Sequence, residues 1–464
     1  MTNEKKKSLS VCPGSFRDPS GRVFFGDGKI WRSIMPCYAP HWEVVAPFLE
    51  ALASREDVPS FCERKPLEGS WKTLEVMRLP FLSYPYEWSF GQLKDAALLT
   101  LRLQKEALSR DLTLKDASAY NIQFVGVRPL FIDLLSFEKR TSDQPWSAYR
   151  QFCMHFLAPL ALMARTDLRS SFLTKCWVEG LPLDLTARLL SWKTYFSFPL
   201  LWHIHLHARM LAKCGDGRSV AQKARAAHVS KEALERLTEN LMTAVSSLTC
   251  PQIPTSWGDY YQDTNYSDAA TQEKMRHVSS VAEKLKGNCA VDLGANTGRY
   301  SRLLSPHFSF VLAPDGDALA VEHHYRDLKK ATEKNIFPLV LDLANPSPSL
   351  GWACCERLSF KERCTADLLL ALALIHHLVI TAGIPFEEIA AHFVELLTPQ
   401  GHVLVEFIPK EDSQIQRMLA AREDIFTDYT QAHFEDVFSR FFSLEEKFLI
   451  QDSDRTLYLW KRRA

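Results

Sequence analysis

Apolar and polar positions divide this chain into two unlike halves. In the first, R-V-F-F from Arg22 and K-I-W-R-S-I from Lys29 flank Gly26-Asp27-Gly28, which predicts a β-hairpin. A helical period follows from about His41 to Arg55, and residues 72–82 read as a strand ending at P-F-L-S-Y-P-Y-E-W. Residues 90–110 carry Leu93, Ala97, Leu98, Leu101 and Leu108 at the spacing of one helix face. Two short apolar runs, from Ile122 and from Pro129 to Asp133, come next, separated by a glycine turn. The pattern is then helical from Trp146 to about Ala244, with 215–230 as a polar surface connection. Past the proline-bearing stretch from Cys250 to Trp257 it changes to alternating strand and helix. Strands are predicted at 289–293, 308–313, 337–341, 367–373 and 402–408, then a hairpin of 443–450 and 455–460. That alternation predicts an α/β fold with a doubly wound sheet. The expected organisation is an α+β region over 1–145, a helical region over 146–250 and the α/β domain over 257–464.

Composition adds limits rather than a function. The 464 residues are 46% hydrophobic and 24% charged, as in ordinary globular proteins, and 55 Lys and Arg balance 55 Asp and Glu. No global field favours a nucleic acid or a membrane surface, and neither is expected as a partner. Eleven cysteines without a C-x-x-C pair suit reduced thiols in a cytoplasm. The start M-T-N-E-K-K-K-S-L-S lacks the apolar core of a signal peptide, and the run from Leu368 to Ile380 is too short to span a bilayer.

The candidate chemistry sits in C-A-V-D-L-G-A-N-T-G, from Cys289 to Gly298. A strand runs into Asp292 and a glycine turn, with a helical pattern after it. Gly294 permits a sharp turn with φ > 0, and Gly298 permits close approach of a ligand. Asp292 is placed to orient a cationic amine. Asp315 closes the second strand, where a carboxylate accepts from ribose hydroxyls, and Asp342 closes the third, where one accepts from an adenine amino group. A dinucleotide is the rival ligand, because Asp315 also lies about 20 residues past the glycines. Against it, the loop reads Gly-x-x-x-Gly, with Asn296 where the pyrophosphate glycine would stand. The sheet also finishes in an antiparallel hairpin.

As a set, these features resemble class I S-adenosylmethionine-dependent methyltransferases over residues 257–464. D-L-G-A-N-T-G is similar to motif I of that family, and A-D-L-L-L-A-L-A-L-I-H-H-L to its fourth strand and following loop. W-G-D-Y-Y-Q-D-T-N-Y-S, E-F-I-P-K-E-D-S-Q and R-E-D-I-F-T-D-Y-T resemble a bacterial, nodulation-protein-like subgroup. The resemblance implies a Rossmann-like seven-stranded sheet with a terminal antiparallel hairpin. It implies S-adenosyl-L-methionine as cofactor, held by Asp292, Leu293, Gly294, Ala295, Asn296, Gly298, Asp315, Gly316, Asp342 and Leu343. His376 and His377 stand where such enzymes place a motif for exocyclic amines, and they are candidate bases or substrate contacts. Glu406, ending the fifth strand, is a further candidate. Tyr260, Tyr261 and Tyr266 are candidates for a lid. The methyl acceptor and the oligomeric state are open, and no metal is assigned.

In the first half, Asp116-A-S-A-Y-Asn121 follows the long helix, and Asp133 follows two short strands. This order remotely resembles the catalytic core of kinase-like proteins, in which the first Asp takes a proton from the nucleophile while Asn and the second Asp hold Mg²⁺. Thr113-Leu-Lys115 and Leu134-Leu135 depart from that pattern. A kinase-like phosphotransferase, a relic of one, a cofactor-fold scaffold without catalysis and an NAD-dependent oxidoreductase are therefore the alternatives. His203, His205 and His207 would share a face in a strand, but their surroundings are helical, which argues against a metal site.

Overall fold

Apolar runs bounded by turns become strands, and longer periodic segments become helices, in a computed structural model that describes residues 9–141, 143–213, 228–252, 267–331, 333–420 and 423–463. The chain divides into two units, one of residues 1–251 with 349–357, the other of 252–348 with 358–464.

The first unit opens on a five-stranded antiparallel sheet. Its strands are β1 (Ser10–Val11), β2 (Gly21–Gly26), β3 (Lys29–Ile34), β4 (Phe61–Arg64) and β5 (Lys72–Val76), in the order β1-β2-β3-β5-β4. Helix α1 (Ala39–Ser54) joins β3 to β4 and buries Trp42, Val45, Phe48, Leu49 and Leu52. Helix α2 (Phe90–Ser109) begins at a capping box, in which Ser89 accepts from the Gln92 N–H and Gln92 reaches back to the Ser89 N–H. Two ribbons follow. One pairs β6 (Leu112–Leu114) with β9 (Phe137–Lys139), the other β7 (Ile122–Val125) with β8 (Arg128–Phe131). Tyr84, Tyr86, Trp88 and Phe90 are all buried and form part of the core. Helical pieces then lead to α3 (Lys231–Ser247).

Two features of this unit depart from a regular helical reading. Residues 153–157 and 201–206 are π-helical turns inserted in α-helix. The second carries two of the three alternating histidines, and all three are engaged by neighbouring side chains. His203 bonds the Tyr149 hydroxyl at 2.8 Å and Asn240 at 2.7 Å. His205 bonds Thr194 at 2.8 Å, and His207 stacks on Tyr149. No cluster of three metal-binding side chains occurs among the described residues.

The second unit is built on a mixed seven-stranded sheet in the order β12-β11-β10-β13-β14-β16-β15. Strands β10 (Gly287–Leu293), β11 (Phe308–Asp315), β12 (Ile336–Val340), β13 (Ala366–Ala371) and β14 (Leu397–Phe407) run parallel. β16 (Thr456–Arg462) is antiparallel to β14, and β15 (Phe442–Leu449) closes the edge against it. This is the seven-stranded sheet with a terminal antiparallel hairpin that the resemblance implies. The central strands are buried nearly end to end, as parallel strands covered on both faces must be. Helices α4 (Asp268–Leu285), α5 (Ala318–Lys330), α6 (Phe386–Leu396) and α7 (Gln431–Phe441) supply the covering layers. Successive strands leave β10 in opposite directions, so the order reverses between β10 and β13. Open sheets of this kind take ligands at the carboxyl ends of the strands flanking such a reversal. No described helix is long and apolar enough to cross a membrane.

Candidate functional site

The carboxyl end of β10 gathers most of the predicted residues. Asp292 is 2% exposed, and its carboxylate accepts from the Ser301 hydroxyl at 2.6 Å. Leu293 and Ala295 are buried beside it. Gly294 has φ +74°, Asn296 φ +50° and Gly298 φ +78°, so the turn uses the left-handed region three times. Asn296 tolerates this because its own side chain accepts from the Thr297 N–H at 2.8 Å. Asp315, at the end of β11, accepts from the Asn296 N–H at 2.8 Å and the Asp317 N–H at 2.7 Å. Gly316 brings the next loop close, since a Cβ on it would lie 3.9 Å from the Asp342 Cα. Asp342 is exposed, accepts from the Ala344 N–H at 2.9 Å, and is followed by half-buried Leu343.

The turn's own donors are already engaged. The Gly294 and Ala295 N–H groups both donate to the Pro314 carbonyl, at 3.0 and 3.1 Å, and the Gly298 N–H donates to Ala295 at 2.8 Å. With Asn296 and Thr297 bonded as above, the loop from 294 to 298 offers no free N–H. The site is therefore rich in acceptors. Burial raises both Asp292 and Asp315 to about 6, and for Asp292 the nearby charge of Asp315 adds to it. No Lys or Arg lies within ion-pair distance of either carboxylate among the described residues. Such a pocket suits a ligand that brings hydrogen-bond donors and positive charge.

The two glycines differ. Among the described residues, a Cβ on Gly294 would meet Leu374 Cδ1 at 3.4 Å and nothing else within 4 Å. A Cβ on Gly298 would fall 2.0 Å from His324 Nε2. The space beside Gly298, expected from the sequence to admit a ligand, is filled by this imidazole of α5. His324 is fully buried with both ring nitrogens unpaired, and burial lowers its pKa to about 3, so a neutral ring packs there.

The loop after β13 forms the other wall. His376 is buried with Nδ1 unpartnered, and its ring centroid lies 4.0 Å from that of His377. Burial holds His376 well below the usual histidine range, helped by the charges of His377, Arg455 and Lys274, and pushes His377 to about 4. Both imidazoles are neutral at pH 7. Glu406, at the end of β14, is fully buried, and Lys274 Nζ lies 2.5 Å from its Oε2. Arg455 lies 3.7 Å from Oε1 and pairs with Asp412 at 2.8 Å. Tyr260, Tyr261 and Tyr266 lie outside the described residues.

Sequence reasoning did not find Ser301, His324, Lys274 or Arg455. Lys274 left a signal: it stands four residues after Ala270 and four before Val278, both buried, so a charge interrupts an apolar helix stripe. His324 left none, because a histidine on an amphipathic helix is unremarkable by pattern.

In the first unit, the structure brings Asp116, Asn121 and Asp133 together through Ser136. Asn121 donates to the Asp116 carbonyl and to Ser136 Oγ, both at 3.3 Å, and Ser136 donates to Asp133. Asp116 accepts from Gln151 at 2.8 Å, and burial, with the charge of Asp133, raises its pKa. Asp133 is also ion-paired with Arg32 of β3.

No family profile matches the chain. Among solved structures, it is similar to the N-methyltransferase NodS of Bradyrhizobium japonicum WM9, with 14% identity and TM-score 0.32 over 43% of this chain and 99% of that one. It is also similar to magnesium protoporphyrin IX methyltransferase of Synechocystis PCC 6803 with bound SAM, with 17% identity and TM-score 0.31 over 45% of this chain and 89% of that one. Over 458 residues it is 36% identical to the nodulation protein NoeA of Rhizobium meliloti strain 1021, covering 97% of this chain and 95% of the relative. At that identity along nearly the whole length of both proteins, the chain belongs to the family of the nodulation protein NoeA.

Proposed function

We propose that the second unit binds S-adenosyl-L-methionine and directs methyl transfer to an acceptor chosen with the help of the first unit. One observation carries this reading: the glycine turn keeps its N–H groups for itself and stands beside the buried Asp292 and half-buried Asp315 carboxylates. A pyrophosphate needs free N–H donors and repels carboxylates, so the same observation weighs against a dinucleotide. Ribose hydroxyls and a cationic ligand need acceptors. Asp315 would take the hydroxyls, Asp342 the adenine amino group, and Asp292, through the loop it anchors, the charged end. Leu293, Ala295, Gly316 and Leu343 would line the cleft. When bound, S-adenosylmethionine supplies a methyl group already activated on a sulfonium. The protein's task is then to align the nucleophile and exclude water. His376, neutral and buried, and His377, neutral and half-buried, are suited to accept a hydrogen bond from that nucleophile. Their depressed basicity disfavours holding its proton.

Gly294→Val tests the placement. It adds a branched side chain to the turn and is expected to abolish S-adenosylmethionine binding in calorimetry, with a stability loss of about 1–2 kcal/mol from the left-handed valine. Retained affinity would move the pocket elsewhere.

We infer further that the first unit has a kinase-like chain order and no phosphoryl transfer. Sheet order β1-β2-β3-β5-β4, with a helix between β3 and β4, followed by α2 and the two ribbons, supports the first part. The second rests on Asp133, whose carboxylate is taken by Arg32 and Ser136 where a kinase would hold Mg²⁺. The protein is expected to show no magnesium-dependent ATP hydrolysis, and Asp133→Ala to leave that background unchanged. Hydrolysis that disappears in Asp133→Ala would overturn this reading.

A further inference from the structure

Two loops flank the strand reversal of the second unit, the Gly294 turn after β10 and residues 372–377 after β13. They approach each other at Leu374, whose Cδ1 would lie 3.4 Å from a Cβ placed on Gly294. The residue before it, Ala373, has φ +48°, a left-handed conformation that costs an L-residue energy and must be held by its surroundings. The Ala373 N–H donates to Glu406 Oε2 at 2.8 Å. Glu406 reaches it from the neighbouring strand, where Val405 pairs with Ala371. The same oxygen receives Lys274 Nζ at 2.5 Å. The Lys274 ammonium in turn sits 4.9 Å from the ring centroid of Tyr300, which follows the glycine turn. The contacts thus form a circuit: Gly294 turn, Tyr300, Lys274, Glu406, Ala373, Leu374 and back to Gly294.

We propose that Glu406 is a positioning residue for the cofactor cleft. It anchors the left-handed Ala373 by its N–H and so holds the loop carrying Leu374, His376 and His377 against the Gly294 turn. Lys274 and Arg455 balance its charge in the core. This role rests on the cofactor reading above. It differs from substrate contact, because the carboxylate is fully buried and its Oε2 is committed to Ala373 and Lys274.

Truncating Glu406 alone strands a buried Lys274 charge, so the test uses charge-balanced pairs. Lys274→Met/Glu406→Gln keeps an acceptor for the Ala373 N–H, whereas Lys274→Met/Glu406→Leu does not. Two readouts apply. In calorimetry with S-adenosylmethionine, the Gln pair is expected to stay within about threefold of the parent affinity and the Leu pair to lose tenfold or more. Adding Ala373→Gly to the Leu pair should recover much of the loss, because glycine adopts φ +48° without strain. A purely structural role for the pair would not respond to that change. Hydrogen exchange at the Ala373 amide, measured without cofactor, should show protection in the parent and the Gln pair and its loss in the Leu pair. An unprotected Ala373 amide in the parent overturns the proposal whether or not any variant folds. Equal affinity of the two pairs overturns it as well. Should the parent fail to bind S-adenosylmethionine, the cofactor reading falls and the exchange result alone decides the role of Glu406.

Discussion

Gly298→Ala is expected to destabilise the second unit by about 2–5 kcal/mol, more than any other single methyl added to the glycine turn. Two costs combine. Alanine at φ +78° pays the left-handed penalty of about 1–2 kcal/mol, and its Cβ would fall 2.0 Å from His324 Nε2. That ring is fully buried on α5, which is fixed at its start by Asp317 accepting from the Leu319 and Ala320 N–H groups. Neither partner has room to yield, so overpacking adds about 1–3 kcal/mol. Denaturant unfolding followed by intrinsic fluorescence measures the loss. Pairing the change with His324→Ala should return part of it, since the two sites share one volume. A loss below about 1 kcal/mol would mean that α5 shifts freely.

The second large effect is on pH. Asp292 and Asp315 carry pKa values near 6 in the folded protein against 3.8 for an unperturbed aspartate. The folded state therefore binds more protons than the unfolded one between about pH 4 and 6. Stability from this source is complete below pH 4 and is lost as the pH rises through 6, by about 3 kcal/mol per carboxylate. Cofactor binding runs the opposite way, because hydroxyl and ammonium donors favour the ionised carboxylates. Affinity for S-adenosylmethionine is expected to fall tenfold or more from pH 7 to pH 5. Proton release on binding near pH 6 should follow, read from the dependence of the calorimetric heat on buffer ionisation enthalpy. An affinity flat across that range would show that neither carboxylate faces the ligand.

The strands of the second unit were legible because parallel strands covered on both faces are continuous apolar runs, as in L-L-L-A of β13 and V-L-V-E-F of β14. β14 starts earlier than the pattern shows, at Leu397, since Pro399 and Gly401 read locally as a turn while the sheet extends through them. β4 escaped notice because an edge strand with three exposed residues in four has no alternation to detect. Residues 349–357 group with the first unit, where Glu356 pairs with Arg17 at 2.6 Å. A contact across 339 positions has no local signal. At the site, the strand-end acids were legible by position, because the end of a parallel strand is where such sheets place ligands. The engagement of the turn's N–H groups, the His324 packing and the circuit through Lys274 depend on which distant side chains meet. Pattern alone does not encode those meetings.

The nature of the ligand at the glycine turn is the point on which the function rests. Calorimetric titration of the protein at neutral pH with S-adenosylmethionine, its demethylated product S-adenosylhomocysteine, and NAD addresses it directly. Saturable binding of the first two with one site per chain, and no heat of binding from NAD, is the predicted outcome. Binding of NAD alone, or of none of the three, would contradict the assignment of this acceptor-rich turn to S-adenosylmethionine.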